Sequence, residues 1–135
     1  MKMTRLFYSI LFLSLGAIFL NSCEAQSNEN KYSFVNINEN DFKQKATEKD
    51  VVVIDVRTPA EVAEGYIKGT HLFINYNSSD FEKEIAKLDK DKIYILYCRS
   101  GARSAKASYY LSSNGFKNVY NLENGISGYS HEIVK

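Results

Sequence analysis

Ile93-Tyr94-Ile95-Leu96-Tyr97-Cys98-Arg99-Ser100-Gly101-Ala102-Arg103-Ser104 passes from an apolar run through a turn into small residues, and that passage decides the fold. The β-branched, aromatic and aliphatic residues 93–97 read as a buried strand. Arg103 to Ser113 has the Ala content and spacing of a helix. Cys98 therefore stands at a strand-to-helix turn. Backbone N–H groups in such a turn, with the positive end of the following helix, favour an anion at a common centre. A thiolate is such an anion, and Arg99 and Arg103 flank it with charge that lowers a Cys pKa. Gly101 allows a tight turn and a close backbone approach. An inert buried thiol is the bland alternative, but two Arg, a Gly and two Ser are poor material for a hydrophobic core.

The elements on either side place this turn in a parallel sheet. Tyr32 to Ile37 reads as a first strand, and Glu39-Asn40-Asp41-Phe42 opens a short helix that Asn40 is expected to cap. Val51-Val52-Val53-Ile54 is a continuous β-branched run of the kind buried on both faces of a parallel sheet. Asp55 and Arg57 follow it at its carboxyl end, the edge at which open α/β sheets bind ligands and at which Cys98 follows its own strand. Thr58-Pro59-Ala60-Glu61 carries a capping box with Pro at the first helical position, predicting a helix from Pro59 to about Glu64. Leu72 to Ile74 reads as a short strand. Ser79-Asp80-Phe81-Glu82 opens a further capped helix with Phe81, Ile85 and Leu88 on its core face. Asn114-Gly115 ends the helix that follows the Cys98 turn, and Val119-Tyr120 begins the last strand. Five strands alternating with helices predict an α/β fold with a central five-stranded, mostly parallel sheet flanked by helices.

The segment Cys98 to Ser104 resembles the active-site loop of rhodanese-type sulfurtransferases, C-R-x-G-x-R-S. Two further blocks share the resemblance. Asp55-Val56-Arg57-Thr58-Pro59-Ala60-Glu61 followed by Glu64-Gly65-Tyr66-Ile67-Lys68-Gly69 is similar to D-V-R-x-x-x-E then G-H-I-x-G-A, and Asn121-Leu122-Glu123-Asn124-Gly125-Ile126 is similar to N-L-x-G-G-I. Tyr66 stands where the family usually has His, and Asn124 where it has Gly. The resemblance spans about residues 33–135 and implies one rhodanese-like domain over residues 32–135. It implies that Cys98 is the nucleophile and that Arg99, Ser100, Gly101, Ala102, Arg103 and Ser104 form the substrate-binding loop. It also places Asp55 beside that loop, in an ordering role. Arg57 reads as a structural ion-pair partner of Asp55 that could also reach Glu61 or Glu64.

The chemistry implied is transfer of a sulfane sulfur from thiosulfate or a related donor to a thiol or cyanide, through a Cys98 persulfide. No cofactor beyond that sulfur is expected. A Cys-dependent phosphatase is a competing reading, but such loops hold five residues between Cys and Arg, whereas Arg99 to Ala102 are four. The non-enzyme alternative is a lipid-tethered binding module, against which the intact Cys98 stands, or a passive persulfide carrier, consistent with the lack of a second Cys to resolve the persulfide. His71 and His131 are the only histidines, and neither belongs to a metal-ligand spacing, so both read as surface or packing residues and no metal is expected.

Residues 1–22 read as a leader: Lys2 and Arg5, an apolar run of 15 residues from Leu6 to Leu20, then Asn21-Ser22. That run is short for a membrane span, which needs about 20 residues. Leu20-Asn21-Ser22-Cys23 resembles a bacterial lipobox, implying diacylation of Cys23, export, and a membrane-anchored protein at the periplasmic or outer-membrane face. An ordinary cleaved signal or an uncleaved anchor are the alternatives. Residues 23–31 read as the lipidated Cys and a polar tether. The 17 Lys and Arg against 16 Asp and Glu give a net charge of +1. Without residues 1–22 the balance is 15 against 16. Neither figure points to nucleic acid. With Cys23 lipidated, Cys98 is unpaired and reactive.

Overall fold

The computed structural model describes residues 33–135; the leader, Cys23 and the tether lie outside them. Five strands form one parallel sheet: β1 (Val35–Ile37), β2 (Val51–Asp55), β4 (Leu72–Phe73), β5 (Ile93–Tyr97) and β6 (Asn118–Leu122), in the order β1-β6-β5-β2-β4. The central pair runs in register from Val51 opposite Ile93 to Asp55 opposite Tyr97. Two apolar layers follow from the period-2 alternation of these strands. Ile54, Val56, Tyr94, Leu96 and Cys98 face one layer with α3 (Phe81–Ala86) and α4 (Ala102–Ser113). Val51, Val53, Ile95 and Tyr97 face the other, with Phe42 of α1 (Glu39–Lys45). Ile54, Ile95, Leu96, Ala107 and Leu111 have no exposed surface. Cys98, the residue after β5, continues the alternation of Tyr94 and Leu96 and so packs in the same layer as α4.

The expected α/β fold is present, with differences at element ends. β1 begins at Val35. The cap of α1 is Asn38, whose Oδ1 accepts from Asp41 N–H at 3.0 Å, rather than Asn40 inside the helix. β1 ends at Ile37, and Asn38 is the last extended residue before the helix. Asp80 precedes α3 without a side-chain capping bond; its own N–H donates to Ser78 Oγ at 3.1 Å. The expected capping box on α2 (Pro59–Ala63) is complete, with Thr58 and Glu61 each bonding the other's backbone N–H. A second, two-stranded antiparallel sheet pairs β3 (Tyr66–Ile67) with β7 (Ile133–Val134) and ties the C-terminal segment beside the main sheet. Two-residue strands carry no periodicity, so nothing in the sequence announces this pair.

Candidate active site

β2 and β5 are parallel, so Asp55 and Tyr97 end at one sheet edge and the loops that follow them meet there. Cys98 leaves β5, and the chain reverses through Arg99 and Ser100 into α4. Gly101 precedes α4 at φ +95°, and a Cβ there would collide with the Glu123 carbonyl oxygen. Only glycine allows that contact and that φ together. The carbonyls of Cys98 and Arg99 are drawn away from the loop centre: they accept from Ile126 N–H at 2.9 Å and Ser127 N–H at 3.0 Å. Those donors open a 3-10 turn over Ile126–Gly128. Gly125 fits beneath them at φ +56°, where a Cβ would stand 2.5 Å from both carbonyl oxygens. With its carbonyls held outside, the loop turns its N–H groups inward.

Cys98 Sγ is what they surround. Gly101 N–H donates to it at 3.1 Å, and Ser104 Oγ lies 3.4 Å away while also within 3.1 Å of the Gly101 carbonyl. The residue is 1% exposed. Burial by itself would raise the thiol pKa, but the Ser104 hydroxyl and the N–H groups of Ser104, Gly101 and Ser100 outweigh it, and the pKa lies below the usual value. Bonds to the charged form explain that direction. The N–H groups and the Ser104 hydroxyl form a preformed cradle around the thiol. Arg99 and Ser100 are exposed at its mouth.

Arg103 does not stand as a free cation beside the sulfur. Its Nη1 and Nη2 donate to the two Glu61 oxygens at 2.8 and 2.7 Å, a bidentate pair that links α2 to the first turn of α4. Glu61 also accepts from Thr58 N–H at 3.1 Å, so one carboxylate closes the capping box and clamps Arg103. The Arg103 guanidinium, ahead of the Thr58 bonds, lowers the Glu61 pKa to about 2. The Glu61 bonds raise Arg103, with a smaller contribution from the Cys98 charge. Sequence reading had no signal for this pair: its members are 42 residues apart.

Asp55 orders Arg57 rather than the Cys98 loop directly. Its carboxylate accepts from Arg57 Nε at 3.0 Å and Nη2 at 2.6 Å, and Arg57 goes on to the carbonyls of Glu61 at 3.2 Å and Gly65 at 2.7 Å. The anticipated ion pair is present. The reach to Glu61 is to its backbone, because its side chain is taken by Arg103. Tyr97 lies under the guanidinium, 5.8 Å from ring centroid to Cζ, and its hydroxyl accepts from Ile67 N–H at 3.1 Å. His71 serves packing: its Nδ1 accepts from Val53 N–H at 3.0 Å. His131 stacks edge-on with Tyr129.

The class of protein is thus a parallel α/β domain with a buried, hydrogen-bonded thiol at the carboxyl edge of its sheet. The model for the rhodanese-like domain matches residues 38–132, and the chain belongs to that family. It is 38% identical over 81 residues to a sulfurtransferase of Allochromatium vinosum, covering 60% of this chain and 73% of the relative. It is 40% identical over 88 residues to the tRNA uridine(34) hydroxylase of Pelagibacter ubique, covering 65% of this chain but 29% of that protein. The crystal structure of a rhodanese-like domain protein from Staphylococcus aureus superposes with a TM-score of 0.63 at 32% identity, covering 73% of this chain and 94% of that one.

Proposed function

We propose that the protein is a sulfurtransferase that carries a sulfane sulfur on Cys98. The single observation that carries this reading is the cradle: an otherwise costly buried thiol that receives the Gly101 N–H and the Ser104 hydroxyl. The Cys98 thiolate attacks the outer sulfur of thiosulfate or a related donor. The donor's S–S bond breaks, and sulfite leaves with the electron pair. The Cys98 persulfide is anionic, so the N–H groups that held the thiolate hold it too. Its outer sulfur stands about 2 Å from Cys98 Sγ along the new bond. Cyanide or a thiolate then takes that sulfur, and the Cys98 thiolate returns. The lowered thiol pKa raises the fraction of Cys98 present as the attacking thiolate. Arg99, at the mouth, is suited to the sulfonate end of the donor. The sulfurtransferase relative and the four-residue Cys–Arg spacing support sulfur over phosphate.

Thiosulfate should add one sulfur atom to the protein in intact mass spectra, and cyanide should remove it as thiocyanate; Cys98→Ser should do neither. Loading without catalytic turnover would favour a passive carrier. A Cys98-dependent hydrolysis of an aryl phosphate without sulfur loading would replace the assignment altogether.

We further propose that Cys23 is diacylated and anchors the domain to a membrane through residues 24–31. The support is the apolar run ending at Leu20-Asn21-Ser22-Cys23. Cys23→Ala should move the protein from the membrane to the soluble fraction on cell fractionation, and unchanged membrane association would count against the anchor.

A further inference from the structure

Asn121, next to last in β6, is only 2% exposed, and its carboxamide oxygen has no hydrogen-bond partner among the described residues. An unpaired buried acceptor costs about 1–3 kcal/mol, and a Leu of similar volume would fill the place without it. What Asn121 adds is its donors. Nδ2 donates to Asn36 Oδ1 on β1 at 2.9 Å and reaches the Gly101 carbonyl at 3.4 Å. That carbonyl is the fixed point of the cradle: it also accepts from Ala105 N–H at 3.0 Å. Gly101 is itself wedged against the Glu123 carbonyl, two residues beyond Asn121 on the same chain segment. Without a side chain and at a positive φ, it has no means of its own to hold its orientation. We propose that Asn121 is a positioning residue for the nucleophile, holding the Gly101 carbonyl so that the Gly101 N–H stays aimed at Cys98 Sγ. The sheet thereby sets the charge state of a thiol on the neighbouring loop, without touching the sulfur.

This rests on Cys98 being the nucleophile, but its test reads the thiol and not sulfur transfer, so the two can fail separately. The rate of Cys98 alkylation by iodoacetamide is followed against pH in the full chain, with Cys23→Ala present in every variant so that one thiol reports. Asn121→Leu should move the midpoint upward by about one unit, which is about a tenfold slower alkylation below both midpoints and an equal rate well above them. That recovery at high pH is what a merely loosened fold would not give. Asn121→Ala carries the same expectation and serves if the Leu variant does not fold. Val51→Ala, at the opposite end of the sheet, supplies a comparable loss of stability and should leave the midpoint in place. A folded Asn121 variant with an unmoved midpoint overturns the proposal, as does an equal shift in Val51→Ala.

Discussion

At the scale of single residues, the two arginines of the loop hold different positions and should fail differently. Arg99 is exposed, and on the reading proposed above its side chain meets the donor anion. Arg103 is fixed by two bonds to Glu61, and on the proposed reading it steadies the first turn of α4 beneath the persulfide. Arg99→Ala should therefore raise the thiosulfate KM about tenfold with kcat nearly kept, whereas Arg103→Ala should lower kcat/KM by about 100-fold. Steady-state kinetics decide it: equal, mild effects from both would mean that neither role is right. The turn that holds Cys98 was legible in the sequence because a strand, a Gly and a helix start surround one Cys within a dozen residues. The Glu61 clamp and the Asn121 support were not, because each depends on a partner brought in by the sheet rather than by the chain.

At the scale of elements, α2 is the informative case. Five residues form too short a helix to stand on propensity, and none of them is fully buried. What holds α2 is its beginning: Thr58 Oγ1 accepts from Glu61 N–H at 3.3 Å while Glu61 Oε2 accepts from Thr58 N–H. The Glu61–Arg103 pair then pins the same turn to α4. Capping boxes are local, which is why this helix could be placed from four letters. The slip from Asn40 to Asn38 has the opposite cause: two Asn residues flank one position, and only the end of β1 distinguishes them. Thr58→Ala should lower stability by about 1 kcal/mol, read as a lower urea midpoint with an unchanged slope. It should also slow sulfur loading of Cys98, since Glu61 loses one of the groups that fix its carboxylate. A stability loss with loading untouched would detach the helix start from the site.

At the scale of the whole molecule, the carboxyl edge of the sheet is held together by charge, and acid should dissolve that hold before it reaches the core. Glu61 is the group to follow. Its folded pKa of about 2 lies below its ordinary value of 4.5, chiefly because of the Arg103 guanidinium. A depressed carboxylate pKa means that the unfolded chain binds the proton more readily, so the stabilisation is fully present above about pH 4.5. It is lost as pH falls through the folded value near 2. Glu39 and Asp91 are depressed as well, through bonds from Ser130 and Lys117 respectively, but both lie at the exposed surface, where solvent screens such pairs. Glu61→Gln keeps the shape of the side chain and removes its titration. The difference in unfolding free energy between the parent protein and Glu61→Gln should therefore be constant from pH 7 to about 5 and shrink steadily between about 4.5 and 2. Urea unfolding at a series of pH values measures it directly. A gap that stays constant down to pH 2 would show that the pair with Arg103 does not hold Glu61 ionised, and that α2 is fastened to α4 by something other than this charge.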